Sequence, residues 1–545
     1  MAATQLSNPS RRFNATTTLA FCALSAVLAL AMLAPEQVGQ YADWLNGAII
    51  SVFGRWYVWL LAGCTLMCAV ALAWPKVGRL RLGQAGDAPA HSTAAWIAMM
   101  YGAGISAALI KWSIAEPLEF TLSNPDLIQN TVEAHTEGNM RMAIKWAFLH
   151  WGFGAWSAYA VFGLALAFVC FRNGLPLTIG ATLQPVLGER ATRYLEKPIN
   201  AAVILVSLLC SIQILHFALD QVAANISYLD RTHKIGVAEL SGVASVLSVA
   251  LICALTAKCL RQGLHGGIRI AANTSLAVTA AFLALLLAAS GFSGFEALVT
   301  CIGDYVFALP DMAVRVWQGD RSVPTLAGEL ESWQVQWSMF HWTWWIPFTL
   351  FVGAFMARIS RGRTVREFVL CAMVVPSLLC WVWLTWAGGI AIDVEMSALG
   401  ALSWVEVDNN YKLLALIAKL FTPKASLVLG LLVIALLIAY SVTTLNASLW
   451  VVAGLAARHS VGKRPPAHLG KWALLLALTT WLTQLGGAQA AIQAIACVSA
   501  LPVSLLIAMN AGSLCVAVLR TVRPVDDTRS DVAVPVNAGA HSGQG

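Results

Sequence analysis

Residues 425–456, ASLVLGLLVIALLIAYSVTTLNASLWVVAGLA, run without a single charged side chain. About 20 apolar residues in a helix already cross the ~30 Å hydrocarbon core of a bilayer, so this stretch reads as a membrane span. The rest of the chain repeats the pattern. Of its 545 residues, 59% are hydrophobic and 11% charged, against about 45–50% and about 25% in soluble domains. So few charges cannot cover a soluble protein of this length, and they gather in short intervals between apolar runs. Ten-residue segments of alternating polarity, the mark of a membrane barrel, are absent. The fold class is therefore read as an all-α integral membrane protein whose first partner is the lipid bilayer. The formal net charge of +7 is dispersed over loops and makes no basic face, which excludes nucleic acid as a partner. The 12 cysteines sit in apolar segments without a CxxC pair and read as small buried hydrophobes.

Working outward by the same length criterion gives twelve expected transmembrane helices, near residues 16–34, 53–74, 95–118, 144–170, 198–225, 238–257, 270–290, 337–357, 367–391, 425–456, 470–486 and 489–519. The first, although preceded by Arg11 and Arg12, is read as a retained span and not a signal peptide, since it nears spanning length and eleven more follow. With both termini cytoplasmic, most of the 34 basic residues fall on cytoplasmic intervals, as the positive-inside rule requires. Examples are Arg79 and Arg81, Arg190 and Arg193, and Arg358 through Arg366. The expected layout is a cytoplasmic tail (1–15), two peripheral helices (16–90), a helical unit (91–290), an outside connection with an interfacial helix (291–336), a second helical unit (337–520) and a disordered cytoplasmic tail (521–545).

Three intramembrane stretches depart from ordinary apolar filler. The third span carries Tyr101-Gly-Ala-Gly104-Ile105-Ser106, then Lys111-Trp112 and Ala115-Glu116-Pro117. Closely spaced glycines let a helix unwind and free carbonyls for a cation, although close helix packing accounts equally for Gly-x-Gly. The chain holds 22 tryptophans, many away from the ends of spans where aromatic belts belong. In the fourth span His150-Trp151 is followed by Trp156 and Tyr159, three rings within an arc of about 140°. The eighth reads Trp337-Ser-Met-Phe340-His341-Trp342-Thr-Trp344-Trp345-Ile-Pro347-Phe348. A fully methylated ammonium has no N–H to donate, so ring quadrupoles and dispersion are what hold it; an interface belt or packing is the plainer account of Trp337, Trp342 and Trp344. In the tenth span, Tyr440-Ser-Val-Thr443-Thr444 offers adjacent hydroxyls suited to a hard cation, against the common habit of Ser and Thr to bond their own helix.

These residues, together with Trp342 through Phe368, resemble the betaine/carnitine/choline transporter (BCCT) family over about residues 15–520. The resemblance implies two extra helices followed by two five-helix inverted repeats, spans 3–7 and 8–12. It implies a substrate cage of Trp151, Trp156, Tyr159 and Trp345, with Trp342, Trp344, His341 and Phe348 around it. It also implies a sodium site at Thr443 and Thr444 with backbone oxygens near Gly102, Ile105 and Tyr440. A homotrimer is implied as well. The chain departs from the family in Phe348 for a further Trp, His341 for the usual Tyr, Lys111 at an aromatic or apolar position, and Asn446 for an acidic residue. The C-terminal tail lacks the long basic helix tied to osmotic sensing in some relatives.

The expected function is secondary active uptake of a small N-methylated zwitterion or cation by alternating access in the cell (inner) membrane, betaine-like compounds first, with sodium as coupling ion, no other cofactor and no enzymatic activity. Sodium is favoured because Ser275 stands where sodium-independent relatives carry Arg. A sodium-independent antiporter, a proton-coupled carrier and a passive channel are the alternatives. No phosphate-binding loop, filter-like loop or intramembrane metal motif is present. Lys111, with Phe340 and Asp220, forms a candidate gate. Its ammonium snorkels outward, pairs with Asp220, or faces the pathway and favours substrates that carry a carboxylate.

Overall fold

The computed structural model describes residues 15–84, 86–105, 107–236, 241–290, 293–397, 407–456 and 469–522. Both expected tails, except for residues 15, 521 and 522, and also Ser106, Arg458, Lys463 and Arg464, lie outside them.

Among the described residues, helix makes up most of each expected span. Among the described residues nine helices are long and apolar enough to cross a membrane, and ten if the bent pair in the third span is counted as one. Two expected spans fall short of that measure for visible reasons. Leu469–Leu485 has 17 residues. The eighth, within Val335–Arg358, is rich in Trp and is divided by a π-turn at Val335–Met339 and a 3₁₀ turn at Ile346–Phe348 around Pro347. Two helices run well beyond their expected bounds: Pro35–Ala73 has 39 residues, and Gln184–His233 has 50, with a kink at Gly188. The outside connection contains the helix Ser293–Met312, which buries Leu298, Cys301, Tyr305 and Met312 and exposes Val299, Val306 and Phe307.

Local chemistry sets the breaks that matter. The third span begins at Ser92, whose side chain caps Thr93–Gly104 by accepting from the Ala95 N–H. Two glycines in its last turn each cost helix propensity of about 1 kcal/mol, and the backbone turns extended at Ile105 (φ −86°, ψ 136°) before Ala108–Leu122 resumes. The two halves are bent by 68°. The fourth span divides at Gly152 into Glu137–Trp151 and Phe153–Asn173. A Cβ at Gly152 would collide with the Phe148 carbonyl and crowd Trp381 Nε1 at 2.9 Å.

Thr349–Arg358 packs along Phe153–Asn173, and Gln184–His233 along Pro423–Ala456. In the first pair Gly163 and Gly353 meet face to face: a Cβ on Gly163 would stand 2.6 Å from the Gly353 carbonyl oxygen. Small residues let two backbones approach in this way. In the second, Ser211 and Ser448 hydroxyls lie 2.7 Å apart.

The basic string after the eighth span ties two loops together. Leu82 N–H donates to the Arg363 carbonyl and Gly362 N–H to the Leu82 carbonyl, both at 2.8 Å. Gly362 has φ +83°, a conformation that favours glycine. The Arg363 guanidinium donates to the His91 carbonyl (2.7 Å) and to Thr93 Oγ1 (3.1 Å), and lies 4.5 Å from the Trp96 ring centroid. Burial, with His265, Arg269 and Arg363 nearby, pushes His91 down to about 4, so its ring is neutral at physiological pH. Arg361 donates to Asp87 at 2.9 Å and, with the Gln84 N–H, holds that carboxyl below its usual range. These ties anchor the start of the broken third span, and with it the site.

Candidate functional site

The fourth and eighth spans bring the four expected cage rings into one cluster. Trp151, Trp156, Tyr159 and Trp345 are all buried. Trp345 lies 5.7 Å from both Trp151 and Trp156, edge to face, and 5.1 Å from Tyr159, stacked at 8°. Trp156 and Tyr159 meet edge to face at 5.7 Å. Each ring is held by its own polar handle: Trp345 Nε1 donates to the Ala155 carbonyl (2.9 Å), Trp156 Nε1 to the Trp151 carbonyl (3.2 Å) and Tyr159 Oη to the Trp345 carbonyl (3.4 Å). At these separations the rings touch one another. A trimethylammonium group would fit between them only if the eighth span moved relative to the fourth.

Around this core, His341 stacks on Trp345 (5.6 Å, 18°) and meets Trp342 edge to face at 5.2 Å. Trp344 lies 6.1 Å from Trp345 and 5.2 Å from Phe348. Trp337 packs on Phe120 at 4.8 Å. The eighth-span tryptophans thus pack within the protein, which speaks against a lipid-facing belt. Phe340, a candidate gate residue, is 43% exposed and lies off the ring cluster, since one residue of helix turns its side chain about 100° from His341.

The broken third span closes the cluster from the other side. Tyr101 stacks 6.5 Å from Trp156, and a methyl on Gly104 would stand 2.5 Å from Trp156 Cζ3. Gly104→Ala must therefore displace Trp156. Overpacking costs about 1–3 kcal/mol, so this variant should melt earlier and bind a trimethylammonium ligand more weakly. An unchanged melting temperature and affinity would mean that Gly104 does not set the Trp156 position.

The expected cation-binding residues also converge. Thr444 Oγ1 donates to the Ile105 carbonyl (2.5 Å) or the Tyr440 carbonyl (3.0 Å), and Thr443 Oγ1 to the Tyr440 carbonyl at 2.9 Å. Gly102 faces Thr443, and a Cβ there would lie 3.3 Å from Thr443 Cβ. The last carbonyls of Thr93–Gly104 lack a helical successor, because the chain turns extended at Ile105. This is an all-oxygen donor set of hydroxyls and freed carbonyls, which fits a hard monovalent cation.

Lys111 Nζ lies 5.3 Å from the Trp112 ring centroid and 5.6 Å from that of Phe217. Phe217 in turn stands 6.1 Å from Trp344. Asp220 and Asp408 act on Lys111 through space, but neither makes an ion pair within 4.0 Å. Of the three readings of Lys111, the pair with Asp220 is therefore not formed, and Asp220 is exposed.

Glu116 was legible only as part of a motif. Its carboxylate accepts from Trp151 Nε1 at 2.7 Å and meets His150 Nδ1 at 2.5 Å. A carboxylate within an apolar run is costly enough to demand a partner, and that was the available signal.

Residues 15–523 match the family model described as BCCT, betaine/carnitine/choline family transporter. The glycine betaine transporter OpuD of Bacillus subtilis is 27% identical over 495 residues, 90% of this chain and 91% of that protein. The glycine betaine/proline/choline/ectoine transporter of Vibrio parahaemolyticus is 31% identical over 383 residues, 70% of this chain and 64% of that one's length. The high-affinity choline transport protein of Escherichia coli is 30% identical over 357 residues, 65% of this chain and 49% of that protein.

Proposed function

Because the chain belongs to the betaine/carnitine/choline transporter family, whose members are transporters and not enzymes, we propose that it is a sodium-coupled carrier of a small N-methylated zwitterion. It is a multi-pass membrane protein. In this reading it has twelve spans, both termini are cytoplasmic, and the carrier works by alternating access in the inner membrane. The observation that carries the proposal is the cluster of Trp151, Trp156, Tyr159 and Trp345, four buried rings from two spans that also face the break in the third. Such rings suit a cation that cannot donate a hydrogen bond. The packing of the fourth span on the eighth, and of the fifth on the tenth, supports a paired-repeat architecture around that cluster.

Substrate entry parts Trp345 from the fourth-span rings, which then close on the methylated head. Sodium, when bound among Thr443, Thr444 and the carbonyls of the third-span break, supplies the driving gradient. Thr444 already ties the tenth span to that break through Ile105, and Trp156 leans on Gly104 in the same turn. The cage and the cation-binding residues therefore share one movable segment.

A carboxylate on the substrate is favoured by Lys111. Its ammonium rests on two rings with no hydrogen bond or ion pair among the described residues, and Phe217 links it to Trp344 beside the cage. A fixed cation there attracts a carboxylate and repels choline. Lys111→Met should therefore shift the ratio of choline to glycine betaine affinity towards choline by about tenfold, the equivalent of about 1.4 kcal/mol. Competition binding to the purified protein checks this, and an unchanged ratio would assign Lys111 to snorkelling. The proposed function itself is tested with a panel of labelled glycine betaine, carnitine and choline in proteoliposomes, under sodium, proton and no gradients. Uptake driven by protons, or exchange without sodium, would select one of the alternative couplings.

A further inference from the structure

Glu116, His150 and His341 come from three different spans and gather beside the cage. Glu116 is 2% and His150 0% exposed. One ligand atom of each, a carboxylate oxygen and an imidazole nitrogen from either histidine, lies within 4.8 Å of the others.

The hydrogen bonds occupy Glu116 and His150 and leave His341 Nε2 without a partner. Trp151 Nε1 donates to Glu116 Oε2, so Oε1 is the oxygen turned to His150. His150 Nε2 lies 2.9 Å from Ser338 Oγ. A neutral imidazole carries one N–H and an ionised carboxylate carries none. With the proton on Nε2, the Nδ1 lone pair faces a carboxylate oxygen at 2.5 Å, which holds only with a cation between them. With the proton on Nδ1, His150 donates to Glu116 Oε1 and the Ser338 hydroxyl donates to Nε2; with a metal on Nδ1 the direction at Ser338 reverses and Nε2–H donates, so the same partners serve both states. The third donor remains: the His341 ring lies 5.0 Å from that of His150 at an interplanar angle of 17°, and its Nε2 is enclosed without a hydrogen-bond partner.

We propose that Glu116, His150 and His341 form a binding site for a divalent transition metal, Zn²⁺ by ligand chemistry, that clamps the cage shut. Two imidazoles and a carboxylate with a fourth position open are a zinc donor set, whereas sodium, magnesium and calcium take oxygen ligands. For bonds of about 2.1 Å at tetrahedral angles the ligand atoms stand about 3.4 Å apart, so metal binding opens the 2.5 Å Glu116–His150 contact by about 0.9 Å and brings the third ligand atom, within 4.8 Å of the other two, to the same spacing. The outer partners are already in place: Ser338 receives the remaining N–H of His150, and Trp151 orients the carboxylate, as supporting groups around metal ligands do. Bound metal would join the third, fourth and eighth spans at the point where they must separate, since His341 stacks on Trp345 and Trp151 adjoins His150. The ion is thus an inhibitor of the carrier and not its cargo.

The test reads metal and not transport, so it stands or falls apart from the proposed function. Purified, metal-stripped full-length protein is titrated with Co²⁺, and the intense visible absorption of the tetrahedral ion is followed, with Zn²⁺ as competitor. One equivalent per chain is expected, displaced by Zn²⁺. His341→Tyr, which keeps the ring volume, and Glu116→Gln, which keeps the shape, should each weaken binding at least tenfold. His216→Phe, at a buried histidine bonded instead to Thr483, should leave it unchanged. Each variant is checked for a monodisperse peak by size exclusion. Absence of tetrahedral Co²⁺ in the unmutated protein, or undiminished binding in either folded variant, would overturn the proposal.

Discussion

Trp345→Leu should weaken binding of a trimethylammonium substrate at least tenfold while leaving a folded, membrane-inserted protein. Trp345 is the hub of the ring cluster, in contact with Trp151, Trp156 and Tyr159 at 5.7, 5.7 and 5.1 Å. A desolvated cation–π contact is worth about 0.5–2 kcal/mol, and every 1.4 kcal/mol is tenfold in affinity. Leucine keeps an apolar contact and removes the quadrupole. Trp156→Leu should behave alike, and Tyr159→Phe should cost less because the ring survives. An analogue with an uncharged head separates cation recognition from shape: 3,3-dimethylbutanoate has the outline and carboxylate of glycine betaine without the positive nitrogen. It should compete poorly against the unmutated protein, and the gap between the two ligands should shrink in Trp345→Leu. Equal affinities in mutant and parent would reduce these rings to packing.

The paired substitution Thr443→Ala with Thr444→Ala should raise the sodium concentration for half-maximal uptake at least tenfold. It removes both hydroxyls facing the third-span break and leaves the carbonyls of Ile105 and Tyr440 without them. Serine at both positions keeps the oxygens and should restore most of the sodium response, which separates lost ligands from lost packing. Sodium-independent uptake by the unmutated protein would remove sodium as the coupling ion, whatever the mutants do.

Much of this architecture was legible because membrane spans are governed by length and apolarity, and those are properties of the sequence itself. The ring cluster was legible in part, its joining of the fourth and eighth spans being implied by the family resemblance. Trp151, Trp156 and Tyr159 share an arc of one helix, and Trp345 lies in the densest aromatic run of the chain. Gly102, Gly104 and Thr444 were legible as candidates, and the fold adds the Thr444–Ile105 bond that joins the tenth span to the break. What periodicity could not give was distance between spans. Glu116 and His150 are 34 positions apart, so their contact depends on how the third span bends after Gly104. Lys111 and Asp220 illustrate the converse: two costly charges invite pairing on paper, but their helices hold them beyond ion-pair reach, and Lys111 settles on Trp112 and Phe217. Phe340, one step of helix from His341, stands on the exposed face away from the rings. The string from Arg358 to Arg366 was read as topology-setting charge. Arg363 does more, because its guanidinium and backbone carbonyl tie the loop to His91, Thr93 and Leu82.

The most direct test of the account is uptake of labelled glycine betaine into proteoliposomes that contain only this protein, with an inward sodium gradient imposed and then removed. The account predicts saturable uptake that rises above the equilibrium level while the gradient lasts, falls back when it is dissipated, and loses affinity in Trp345→Leu. Uptake that grows linearly with concentration, never exceeds equilibrium, and is indifferent to both sodium and Trp345 would contradict it.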